Sequence, residues 1–394
     1  MPDDGAPKSR RTRVMARAPV VQEIEELPEA DRLDGFPHPR SARHLYGHEG
    51  AEEMLEAAFA SGRMHHGWLI AGADGIGKAT LAYRFARYVL ADAAERTPGS
   101  LDVDPETRTA RQVLALSHPG LLVIRRGWDP KGKRFPATIP VDEVRRLKSF
   151  LGRTSEDGTW RVVIVDRADE LNIAAANALL KSLEEPPVRT VFLLVSSAPG
   201  RLLVTIRSRV RTLDLAPLGD DALKRAVTQA FAASSDEVGS GMPSPSEWER
   251  LARLSGGSVR RLIALHAAKG LALHDRIASL LDPLPKVDWG AVHTLGDELA
   301  GQAAEQRFAL FFELLMDALA RLIAAEARGE GTAEDRALAA RLIGPARLAT
   351  WAGLWERVAA AWAEAAALNL DRKALILDVF SWLGAAARDE TRSR

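Results

Sequence analysis

Gly67-Trp68-Leu69-Ile70-Ala71-Gly72-Ala73-Asp74-Gly75-Ile76-Gly77-Lys78 is the stretch on which the fold turns. The apolar run to Ala71 reads as a short strand, the glycines as a turn, and Lys78–Leu90 as a helix. Strand, turn and helix in that order carry the G-x-x-x-x-G-K pattern of a phosphate loop. Gly72, Gly75 and Gly77 free backbone N–H groups to curl round a phosphate chain, and Lys78 adds a point charge at its far end. The next residue should be Ser or Thr, whose hydroxyl binds magnesium. Here it is Ala79. Thr80 follows, but one step along a helix of 3.6 residues per turn rotates a side chain by roughly 100°. Thr80 is therefore a poor substitute ligand.

Outward from the loop, residues 36–215 alternate apolar runs with amphipathic helices. Val141–Leu151 reads as a helix with Val144, Leu147 and Leu151 on one face. Residues 160–165 and Thr190–Ser196 are runs of Val, Ile and Leu, as expected of parallel strands buried on both faces. The fold class is α/β, a P-loop domain with a parallel sheet. Arg161-Val162-Val163-Ile164-Val165-Asp166 supplies the second element such a site needs, placing Asp166 at a strand end facing the loop. In hydrolysing P-loop proteins a Glu usually follows to polarise water. Arg167 stands there, and a cation cannot accept the proton. Asp169 and Glu170, read onto the following helix, would stand in only with a rearranged backbone. Two independent losses predict little or no intrinsic hydrolysis.

The remaining sequence frames that domain. A chain of 394 residues suggests two or three domains. Residues 1–35, basic at Lys8, Arg10, Arg11 and Arg13 and then acidic at Glu23, Glu25, Glu26, Glu29 and Asp31, read as a mobile tail without apolar period. Residues 90–121 form a polar insertion broken by Pro98, Gly99, Pro105 and Pro119. Residues 216–272 read as a small helical unit with a loop at 234–246, and 273–394 as helical throughout. There Trp351, Trp355, Trp362 and Trp382 are spaced for packing between helices. The apolar segment 308–325 carries Glu313, Asp317 and Arg321, which fits a buried helix and not a membrane span.

Composition narrows the function classes. Lys plus Arg and Asp plus Glu are 53 each, so bulk charge does not mark the chain as coating nucleic acid. With no cysteine there are no disulfides and no thiolate metal ligands. No apolar segment near Met1 reads as a secretory signal, in keeping with a cytoplasmic protein.

After Asp166 comes Asn177-Ala178-Leu179-Leu180-Lys181-Ser182-Leu183-Glu184-Glu185-Pro186-Pro187. It resembles the N-A-L-L-K-x-L-E-E-P-P signature of bacterial DNA polymerase III clamp-loader subunits, of the AAA+ class. Thr205-Ile206-Arg207-Ser208-Arg209-Val210 is similar to the family's T-I-x-S-R-C motif, with Val210 in place of Cys, and His65-His66-Gly67 and His118-Pro119 also match. The resemblance covers residues 36–265. It implies a RecA-like AAA+ domain at 36–215, a lid at 216–272 and an oligomerising collar at 273–394. Relatives carry a four-cysteine zinc module where this chain has 90–121, so zinc is not expected here.

The same resemblance implies roles. Arg209, with Ser208, would reach in trans to the γ-phosphate of ATP on a neighbouring subunit. Gly257-Ser258-Val259-Arg260 resembles the lid's sensor motif, with Arg260 directed at the subunit's own nucleotide. Gly72, Gly75, Gly77, Lys78, Thr80, Asp166 and Arg260 then form a weak or vestigial site for ATP or ADP, with no required cofactor and no metal. Ser196 or Ser197 is either a vestigial sensor or a strand terminus. The implied partners are delta and gamma/tau subunits and, through the complex, the sliding clamp and primed DNA, with no membrane. The losses at Ala79 and Arg167 point to the family's non-hydrolysing branch; the alternative is an ATP-hydrolysing motor of the gamma/tau kind using Thr80.

Overall fold

Strands β1 (Gly67–Ala71), β2 (Leu121–Ile124), β3 (Arg161–Val165), β4 (Thr190–Ser196) and β5 (Arg211–Asp214) form one parallel sheet in the order β2-β3-β4-β1-β5. The structure is a computed structural model and describes residues 28–152, 159–234, 241–301, 304–368 and 370–388. Side chains alternate across a strand, and both faces are covered. Trp68, Ile70, Val162, Ile164 and Leu193 pack on the side of α1 (Glu49–Ala60) and α2 (Lys78–Leu90). Leu69, Val163, Val165, Phe192 and Leu194 pack on the side of α4 (Val141–Leu151) and α5 (Ile173–Glu184). Both faces being dry is why these strands read as unbroken apolar runs. Within α4 the inward stripe is Val144, Leu147 and Phe150; Leu151, expected on it, is only half-buried.

The insertion at 90–121, opaque in sequence, includes α3 (Arg108–Leu114) and buries Leu101 and Val113 against α2. Two arginines tie it down. Arg96 donates to the carbonyls of Tyr88 (2.8 Å) and Ala91 (2.6 Å) at the end of α2, satisfying groups a helix terminus leaves open. Arg84, itself buried, bridges Glu52 (2.7 Å) and Asp102 (2.9 Å).

Residues 28–35, read with the tail, are ordered against the fold. Lys8, Arg10, Arg11, Arg13, Glu23, Glu25 and Glu26 lie outside the described residues, but residues 28–46 form a strap across the molecule. Glu29 accepts from Arg40 (2.7 Å) and from Arg125. Phe36 meets Phe231 edge-on at 5.2 Å, and His44 exchanges two hydrogen bonds with Gln229. The strap thereby joins the sheet domain to α7 (Asp220–Ala232).

Between β4 and β5 lies the short α6 (Val204–Arg207); beyond β5 the regular elements among the described residues are all helices: α7, then α8 (Pro245–Ser255), α9 (Val259–Ala267), α10 (Gly270–Leu281), α11 (Trp289–Ala300), α12 (Glu305–Arg328), α13 (Ala333–Leu342), α14 (Gly344–Leu368) and α15 (Arg372–Arg388). Residues 235–240 of the expected loop lie outside the described set. One apolar cluster runs from Leu223 and Val227 of α7 through Leu262 and Leu265 of α9 to Phe311 and Phe380. The division read between 272 and 273 falls inside α10. No described helix is long and apolar enough to cross a membrane; α12 is sheathed by other helices, as read. The tryptophans divide. Trp351 is buried and Trp362 stacks on Phe312 at 5.7 Å, but Trp355 is partly exposed, its indole N–H donating to Met316 O, and Trp382 lies beneath Arg357.

Phe312 has no exposed surface and meets Phe308, Phe311 and Trp362 at once. Truncating it leaves a cavity that rigid neighbours cannot fill. We expect Phe312→Ala to cost about 3–5 kcal/mol, seen as an earlier urea transition in the helical half by tryptophan fluorescence.

Candidate functional site

The sheet order assembles the site. Because β4 lies between β3 and β1, their carboxyl ends meet at one edge: Ala71 pairs with Ser196, and Val165 with Leu194. The phosphate loop leaves β1 there, Asp166 and Arg167 leave β3, and Ser197 leaves β4. Gly77, at φ 111°, occupies a left-handed conformation at the start of α2 that a side chain would strain. Gly75, at φ 72°, is needed for a second reason: a Cβ there would collide with the Arg260 side chain and the Ser258 hydroxyl. The loop touches the lid directly, since Gly75 O accepts from Val259 N at 3.0 Å.

Lys78 is 4% exposed and its ammonium donates to Ala73 O within its own loop. Burial lowers its pKa, against the pull of nearby Asp74. Thr80 is half-buried and lines the same cavity of about 580 Å³ as Lys78, Asp166 and Arg260. The cavity's apolar end is formed by Leu45, Ile76, Leu218, Val259 and Ile263. Such volume is ordinary for a small-molecule site.

Two acids missed in sequence dominate the polar end. Asp74, a variable position of the phosphate-loop pattern, faces Arg167 at 3.3 Å, the Ser197 hydroxyl at 3.4 Å and Arg260 at 3.8 Å. Its signal was the acid itself, set where a bound phosphate would repel it. Of the two candidate serines, Ser197 faces the loop; Ser196 Oγ accepts from Ala198 N at the strand end. Arg167 is further shared with Glu170 (3.2 Å) and Asp31 (3.6 Å). Burial lowers the Arg167 pKa, but Asp74, Glu170 and Asp31 together outweigh it and raise it. Asp169 and Glu170 lie on a 3-10 turn, not on α5 as read; Asp169 accepts from Ser197 N and Glu170 is paired with Arg167.

Asp166 is 3% exposed and faces the strap. Burial pushes its carboxyl well above the usual range, and adjacent Asp31 adds to the shift. Each of the two acids buries an Oδ2 that no hydrogen-bond donor reaches. Burial and the neighbouring carboxylate thus both favour the protonated form of Asp166. Asp31, His38 and Asp166 bring ligand-type atoms within 4.8 Å. The surroundings nevertheless oppose a cation: Arg40 N–H donates to His38 Nδ1 at 3.1 Å, and Arg125 lies 3.1 Å from Nε2. With Ala79 offering no oxygen and Asp166 engaged by Asp31, the donor set does not fit a magnesium ion.

Arg209 lies elsewhere, beyond the end of α6. Its guanidinium pairs with Glu184 of α5 at 2.8 Å and donates to Thr205 O at 2.9 Å; Ser208 Oγ donates to Thr205 O.

Residues 47–219 match a family profile described as "DNA polymerase III, delta subunit". The chain is 33% identical over 270 residues to DNA polymerase III subunit delta-prime of Escherichia coli K12, covering 68% of this chain and 74% of that one. The chain belongs to the delta-prime family. Delta-prime of Pseudomonas aeruginosa is 34% identical over 224 residues, covering 56% of this chain and 61% of that one. DNA polymerase III subunit gamma/tau of Mycobacterium tuberculosis H37Rv is 29% identical over 187 residues, covering 43% and 28% respectively. As a delta-prime family member this is a clamp-loader subunit of DNA polymerase III, with the AAA+ sheet order described above.

The buried acids of this delta-prime chain give stability terms of opposite sign. Burial works to raise the Glu29 carboxyl, but hydrogen bonds from Arg40 and Arg125 outweigh it and bring it down to about 2. A depressed acid stabilises above its unfolded value and loses that as pH falls through the folded one. At roughly 1.4 kcal/mol per pKa unit the shift is worth at most about 3.5 kcal/mol, and solvent screening reduces it, so Glu29→Gln should cost about 2–3 kcal/mol at neutral pH and flatten the acid limb below about pH 4.5. Asp166 is raised, so its stability contribution is full at low pH and declines as pH climbs from the unfolded value towards the folded one. Asp166→Asn should raise the neutral Tm and remove that decline. Thermal melts across pH 2–8 check both.

Proposed function

We propose that this chain is a non-hydrolysing clamp-loader subunit that completes the ATP site of a neighbour with Arg209. Its partners on this reading are delta and gamma/tau subunits, and the assembled complex places the sliding clamp on primed DNA. The observation that carries the reading is the setting of Arg209. It is held at the backbone by a hydrogen bond from its N–H to Ile206 O, yet its guanidinium is at the surface. The contact to Glu184 has side chains 36% and 49% exposed. Exposed pairs of this kind are worth ~0–1 kcal/mol. An arginine delivered in trans to a phosphoryl-transfer site is worth roughly 10³–10⁵ in rate, or about 4–7 kcal/mol. Giving up the Glu184 contact therefore costs little beside what the arginine can contribute to a neighbour's transition state.

The chain's own loop supports the other half of the reading. A hydroxyl for magnesium is missing at Ala79, a base is missing at Arg167, and Asp166, its pKa raised by burial, lies against Asp31. ATP or ADP, on this account, is no required cofactor.

Two measurements test it. In a reconstituted complex, Arg209→Ala should leave assembly intact by size-exclusion chromatography while the ATP turnover of the site it serves falls about 10³-fold. Unchanged clamp- and DNA-stimulated turnover overturns the arginine assignment. The purified chain with magnesium should show no turnover dependent on Lys78; sustained turnover lost in Lys78→Ala would favour a gamma/tau-like motor.

A further inference from the structure

Three cations from three elements converge on the phosphate loop: Lys78 opens α2, Arg167 follows β3, and Arg260 lies in the first turn of α9. In a nucleotide-binding loop such groups converge on phosphate oxygens. Here the anion they surround is a side chain of the loop itself. Asp74 Oδ1 and Oδ2 both lie 3.3 Å from Arg167 Nη2, Oδ1 accepts from the Ser197 hydroxyl at 3.4 Å, and Oδ2 lies 3.8 Å from Arg260 Nε. Lys78 feels the same carboxylate.

We infer that Asp74 is the resident anion of this phosphate loop, taking the contacts a bound phosphate would make and so holding the lid helix α9 on the loop without a nucleotide. This deepens, and rests on, the reading that the chain does not hydrolyse ATP. The physical argument has three parts. Arg167 and Arg260, brought to one edge with buried Lys78, repel one another unless an anion lies between them. A carboxylate covalently attached to the loop is present at high effective concentration, so a free anion must displace it before binding. The same carboxylate would repel the phosphate chain of any nucleotide that entered.

The closure is visible in the backbone. Gly75, next to Asp74, accepts from Val259 N at 3.0 Å, while Arg260 Nη1 donates to Asp31 O at 3.2 Å. Loop, lid and strap meet around Arg260. Asp74 remains 52% exposed, with Arg167 25% and Arg260 31% exposed, so the ion pairs open to solvent and an external anion can compete for them once Asp74 is neutralised.

The test uses the full-length chain, inorganic pyrophosphate in EDTA as probe, and the near-isosteric Asp74→Asn together with Asp74→Ala. Titration calorimetry should show pyrophosphate bound at least tenfold more tightly by both variants than by the unaltered chain, with the gain lost when Lys78→Ala is added. Hydrogen exchange at Val259 and Arg260 should quicken in Asp74→Asn and slow again on adding pyrophosphate, a reversal that simple destabilisation does not produce. Equal pyrophosphate affinity with and without Asp74, or lid exchange unmoved in Asp74→Asn, overturns the inference. ATP turnover by the unaltered chain with magnesium would instead overturn the non-hydrolysing reading, and that assay is scored separately.

Discussion

A strand buried on both faces can satisfy its backbone only by pairing with neighbouring strands. Everything at the site depends on this constraint. Five parallel strands in the order β2-β3-β4-β1-β5, the central β3, β4 and β1 buried on both faces, bring the ends of those three to one edge, so residues distant in sequence converge whether or not chemistry follows. Asp74, Asp166 and Ser197 are neighbours because of strand order. The sheet would place them there equally well in a chain that hydrolyses ATP and in one that does not.

What differs is how the convergent charge is neutralised. A hydrolysing site leaves its lysine, its strand-end acid and its lid arginine to be completed by nucleotide and metal. Here each has an internal partner. Asp74 answers Arg167 and Arg260, Asp31 answers Asp166, and Ala73 O receives Lys78. The substitution at Arg167 is central to this balance. A Glu there would add another acid beside Asp31, Asp74 and Asp166 and remove the guanidinium that pairs with Asp31 at 3.6 Å and Asp74 at 3.3 Å. The loss of a base and the gain of a structural counter-ion are thus one change seen from two sides.

Local pattern accounts for much of what was legible. Gly67–Ala71, Lys78–Leu90, Val141–Leu151 and Thr190–Ser196 were read with the bounds the structure shows, because each is a run whose period or flanking glycine marks its ends. Long-range pairing was illegible. The strap is anchored by Glu29 to Arg125, 96 residues away, and the 90–121 insertion by arginines that cap carbonyls, features that leave no period in a sequence. The tail was drawn too long for the same reason: its acids look solvated until their partners are known. Asp74 went unread because the phosphate-loop pattern treats its position as free, and the pattern records what a phosphate needs, not what replaces one.

The persistence of the loop's glycines follows from the lid and not from catalysis. Gly75 carries no side chain so that α9 can sit on the loop, and Gly77 turns the chain into α2. These requirements would hold even if no phosphate ever entered. α9 in turn shares one apolar cluster with α10 and α12, and Arg261 of α9 is ion-paired to Asp317 of α12. A lid fixed to the loop on one side and to the helical half on the other gives the sheet domain a defined orientation relative to that half. A clamp-loader subunit that offers Arg209 to a neighbour needs that orientation, since an arginine in trans acts only when delivered to within a fraction of an ångström. On the proposed reading, an internal anion would secure it at every stage of a neighbour's cycle, whereas a nucleotide would secure it only while bound.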